Sequence, residues 1–103
     1  MGNEEREFKI DLAPDAWIVV RMRPDAEKTL DWAAVLVVKA ERELRVVGIW
    51  DNAHGYPERH RFRSGVKLAG EPIPSRGAAR LDLPWTIAEI KAGWEGMVER
   101  WQW

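Results

Sequence analysis

Cysteine is absent from the 103 residues. That removes disulfides, thiolate nucleophiles and sulfur metal ligands together, and it fits a reducing, cytoplasmic setting. Side-chain amides are nearly as scarce: Asn3, Asn52 and Gln102 are the whole supply. Serine stands only at positions 64 and 75, poor material for a nucleophilic triad. No apolar run reaches the roughly 18 residues of a membrane span, and neither GxGxxG nor GxxxxGKS/T is present to hold a nucleotide. The opening MGNEEREFKI is acidic and lacks the apolar stretch of a signal peptide. Arg6 occupies the place where a myristoylation signal requires Ser or Thr. The expectation is one soluble cytoplasmic domain over residues 1–103, with no membrane partner and a length that supports one core.

What is present is a globular composition, 46% hydrophobic and 32% charged with net charge −1, and seven tryptophans. The near-neutral total hides a segregation. Residues 1–53 carry eight basic and eleven acidic side chains, whereas residues 54–80 carry six basic against two acidic. One basic segment therefore sits in a slightly acidic chain.

Period-two alternation in EFKIDL, the branched run WIVVRMR and the strand ELRVVGIW predict β-strands. DWAAVLVVKA is apolar on both parities, which predicts a central strand covered on both faces. Glu41-Arg42 links it to the next strand as a hairpin without the usual Gly or Asn. ERHRF resumes alternation, with Arg59, Arg61 and Arg63 on one side and Glu58, His60 and Phe62 on the other. Ser64-Gly65 suits a hairpin turn, and GEPIPSRGAAR (70–80) reads as a loop. The C-terminal segment predicts a helix with an apolar stripe of Ile87, Ile90, Trp94, Met97 or Val98, and Trp101. Thr86 with Glu89 fits a capping box, with Asp82 before Pro84 as a rival start. Gly93 and Gly96 suggest close backbone approach or a weak helix. The expected fold is α+β, an antiparallel meander of about five strands with one C-terminal helix packed on a face.

The stretch DNAHGYPERHRF holds both histidines. Read one way, Asp51-Asn52 and His54-Gly55 are turn chemistry between two strands. Read the other way, His54 is an acid–base group, since an imidazole changes charge near neutral pH. Asp51 orients it, and Tyr56 stacks on a base or donates its hydroxyl. Arg59, Arg61 and Arg63, with Arg76 in the following loop, offer bidentate forks for phosphate. That combination suits cleavage of RNA without a metal or other cofactor. His60, sharing a face with Phe62, is expected over the core or at its rim. Asp51, His54, Glu58 and His60 are ligand-type residues but follow no recognised metal spacing, so no metal is assigned.

At IWDNAHGYPERHRF the chain resembles a family of small prokaryotic proteins of unknown function. In that family a strand pair leads into a D-N/T-A-H-G segment, a charged strand, and a helix ending near IKxxWExxxxRW. Asp51, Asn52, Ala53, His54 and Gly55 match the first element, and Ile90, Lys91, Trp94, Glu95, Arg100 and Trp101 the second. The resemblance covers residues 31–103, and many relatives carry a second histidine where this chain has Glu58. The pattern is also similar to the TumE-type toxins of toxin–antitoxin pairs, which implies a small toxin acting on RNA.

A different class of function stands beside that one: a non-catalytic interaction module. Trp85, Trp101 and Trp103 cannot all lie on one helical stripe, and exposed tryptophans favour interfaces. On this reading the chain is a homodimer through its C-terminal helix, or binds a small protein partner.

Overall fold

The structure is a computed structural model that describes residues 5–25 and 29–101. Five long antiparallel strands follow one another in the sheet in chain order: β1 (Arg6–Ala13), β2 (Ala16–Asp25), β3 (Thr29–Ala40), β4 (Glu43–Asp51) and β5 (Glu58–Arg63). The outer edge of β5 is shared by two short strands, β6 (Val66–Lys67) and β7 (Glu71–Pro72). One helix, α1 (Ala79–Arg100), closes the described chain. The expected α+β meander with a C-terminal helix on one face is the observed fold. Among the described residues no helix is long and apolar enough to cross a membrane.

Alternation decides which side of the sheet the helix covers. Ala16, Ile18 and Val20 of β2 stand opposite Val38, Leu36 and Ala34 of β3, and all six are buried. Trp50 continues this row on β4, opposite Ala34. Against them lie Leu83, Ile90 and Met97 of α1, with Ile87, Trp94, Val98 and Trp101 partly buried around the rim. The apolar stripe read from the helix sequence is therefore the core-facing stripe. The other parity of β3 is only half-buried at Ala33 and Val35, so β3 is central but not covered equally on both faces.

A bulge between Leu36 and Val37 places Val47 as the extra residue of β4, fully buried. Gly48, opposite Leu36, then lies directly under Trp101. A Cβ there would stand 2.8 Å from Cζ3 of that indole and 3.2 Å from Trp50. The two indoles meet with centroids 5.9 Å apart and a 35° tilt.

Several local expectations change. Residues 71 and 72 pair with β5, and Ala79 and Arg80 are already helical, so the loop shrinks to residues 73–78. Thr86 is not a cap: α1 begins two turns earlier behind Ala78, which makes no side-chain cap bond. Thr86 is instead fully buried within the helix. Asp82 accepts hydrogen bonds from Ser75 Oγ and the Arg76 N–H, pinning the preceding loop rather than the helix's own end. At Gly93 and Gly96 the nearest atoms a Cβ would meet belong to Met97 and Arg100 of the same helix. Those glycines do not mark approach of another element.

Candidate functional site: a histidine–glutamate cluster on the open face

The loop of residues 52–57 is built by its own polar groups. Asp51 Oδ1 accepts the Ala53 N–H at 3.1 Å. Asn52, buried, extends the edge of β3: its Oδ1 accepts the Trp32 N–H at 3.0 Å and its Nδ2 donates to the Leu30 carbonyl at 2.7 Å. Gly55 takes a positive φ of 88° and donates its N–H to the Asn52 carbonyl. The turn chemistry visible in DNAHG is thus real, and its product is a hydrogen-bonded turn that exposes His54 and Tyr56. Their rings lie 6.2 Å apart.

The partner of His54 is Glu58. His54 Nδ1 lies 2.6 Å from Glu58 Oε1, the imidazole side chain being 67% exposed and the carboxylate 5%. Asp51, expected to orient the ring, instead bonds within the turn. His60 reaches the same Oε1 with Nε2 at 3.3 Å, while its Nδ1 faces the Leu68 carbonyl at 3.0 Å. The hydrogen bond from His54, then its positive charge and the contacts of His60, hold the Glu58 carboxyl below its ordinary value, against an opposing push from burial. Directly opposite Glu58 across the sheet stands Asp51. Asp51, Glu58 and His60 bring one ligand-type atom each within 4.8 Å of one another.

Register fixes where the arginines are. Arg59 is opposite Trp50 and Arg61 opposite Gly48, so both project on the helix side, the reverse of Glu58 and His60. The Arg59 guanidinium lies 5.3 Å from the Trp101 ring centroid. Glu71 on β7 bridges the pair, with Oε1 2.8 Å from Arg61 Nε and 3.6 Å from Arg59 Nη2, and offsets one of their two charges. Arg63 is exposed beyond the end of this pairing. Alternation separated the arginines from His60 correctly. The RNA reading needs His54 and these arginines on one patch, and that patch does not form, because His54 turns toward the Glu58 side. His60 lies on the side away from α1, only 13% of its side chain exposed and both ring nitrogens in contact, so it stands at a rim and not over the helix-side core.

The remaining sequence candidates are engaged elsewhere. Arg76 stacks on Trp85 at 4.1 Å from its ring centroid. Trp101 is half-buried against Trp50, Gly48 and Arg59. Trp103 lies outside the described residues. The tryptophan argument for a dimer through α1 thus loses Trp101 to the interior of its own chain.

Two residues were missed, Glu58 as the partner of His54, and Arg21. Arg21 shares a cross-strand row with Ala33, Asp51 and Glu58, two strand spacings or about 10 Å from Asp51. It lines a cleft of about 220 Å³ together with Asp51 and Ala53, and it has no ion pair among the described residues. Its signal was parity on β2, legible only once the register was known. Comparisons with protein-family models, with curated proteins and with solved structures return no match.

Proposed function

We propose that the chain is a small RNA-directed enzyme of the toxin type, with His54 as its acid–base group. The observation that carries this reading is the 2.6 Å bond between an exposed imidazole and a buried carboxylate. Glu58 can only accept, so Nδ1 carries the proton and Nε2 presents its lone pair to solvent. A buried carboxylate also stabilises the imidazolium that forms when Nε2 takes a proton. In RNA that proton comes from a 2′-hydroxyl. The 2′-oxygen then bonds to the adjacent phosphorus and the bond to the 5′-oxygen breaks. Solvent protonates the leaving oxygen, giving a cyclic phosphate and a free 5′-hydroxyl.

Tyr56 beside the ring supplies a face for base stacking. Arg21, across the cleft from Asp51, takes over the phosphate role expected of Arg59 and Arg61. General acid–base catalysis contributes about 10²–10⁴-fold, and His54→Ala loses that factor in an RNA degradation assay at low salt. Equal degradation by wild type and His54→Ala, or none by either, ends this reading.

A further inference from the structure

The contacts of His60 raise a problem that His54 does not. Its Nδ1 faces a backbone carbonyl, which can only accept, so Nδ1 bears the hydrogen. In the neutral ring Nε2 is then a bare lone pair, and it points at a carboxylate oxygen 3.3 Å away. A metal ion at that point would turn the pairing into two bonds to one cation.

We propose that Asp51, Glu58 and His60 form a binding site for one divalent first-row transition ion such as zinc or manganese. Asp51 and Glu58 lie directly opposite on β4 and β5, and His60 follows on the same side of β5. Their donor atoms fall within 4.8 Å. Ligands at bond lengths of about 2.0–2.2 Å stand at most about 4.4 Å apart across an ion, so small side-chain adjustments close the sphere.

Two carboxylates and one neutral imidazole carry a charge of −2, which a divalent ion cancels. The mixed nitrogen and oxygen set selects zinc, manganese or iron(II) over calcium. An imidazole anchored through Nδ1–H on a carbonyl is also the usual outer-sphere arrangement of a metal-ligating histidine.

Both histidines use Oε1 of Glu58, while Oε2 faces the Gly70 backbone. The backbone at Gly70 closes over the carboxylate. A Cβ there would lie 2.8 Å from Glu58 Cδ and 2.9 Å from His60 Cε1, so only glycine admits the chain at that distance. Oε1 of Glu58, the oxygen that faces His60 Nε2, would link the ion to the exposed imidazole of His54.

The test is calorimetric titration of the purified chain, without RNA, by zinc and by manganese. The expected result is one ion per chain, weakened at least tenfold by Asp51→Asn and by His60→Ala, with His54→Ala retaining binding. Cobalt(II) substitution of the wild type supplies a second readout, a visible d–d absorption band, should a variant fail to fold. No saturable binding, or binding unchanged in both ligand variants, overturns the site. Because RNA is absent, the outcome is separate from the fate of the nuclease reading.

Discussion

Single residues set the tightest constraints. Gly48 admits the Trp101 indole where a methyl group would stand 2.8 Å from it. Gly48→Ala should therefore cost about 1–3 kcal/mol by overpacking, read by urea unfolding followed through tryptophan fluorescence, and Trp101→Ala in the same chain should remove part of that penalty. Glu58 sets a pH dependence. Its folded carboxyl lies below the ordinary 4.5, chiefly through the His54 hydrogen bond. The unfolded state then binds the proton more readily, so this stabilisation is complete above about 4.5 and is lost as pH falls through the lowered folded value. The stability gap between wild type and Glu58→Gln should shrink as unfolding is measured at successively lower pH; a gap that widened on acidification would contradict the assignment. At this scale the sequence named His54 and Asp51 but misassigned the bond between them. A loop's path decides which carboxylate a side chain meets, and local pattern does not encode that path.

At the scale of elements, alternation and helical spacing were enough to identify β1 to β5 and the buried stripe of α1, because burial on one side imposes those periods. Caps and turns were less legible. Glu41 and Arg42 both take positive φ, 52° and 70°, as a two-residue hairpin requires, yet neither is a residue that favours it. Replacing the pair by Asn-Gly should stabilise the fold by about 1–2 kcal/mol, measured by thermal unfolding. The helix start was misread because Asp82 serves the loop before it, a contact no capping pattern describes. Ile90 is the fully buried centre of α1, and Ile90→Ala should cost about 2–5 kcal/mol in chemical denaturation. A smaller loss would mean that the helix sits loosely on the sheet.

Across the whole molecule the two sides of the sheet do different work. The side under α1 carries the core and a pair of arginines bridged by Glu71; the other carries the histidine cluster, Asp51 and Arg21. The basic bias of residues 54–80 was visible in the sequence, but its division between two faces depended on register. Glu71→Gln should free the charge of Arg59 and Arg61, tightening non-specific RNA binding at low salt and steepening its salt dependence; unchanged affinity would show that those guanidiniums do not meet nucleic acid. The order of the elements has one more consequence. Each strand joins its immediate predecessor, so the sheet can assemble by successive local pairings, whereas α1 follows every strand in the chain. On the ribosome the oily underside of the sheet emerges first and stays bare until the covering helix has been made, a window in which a nascent chain depends on chaperones or on speed.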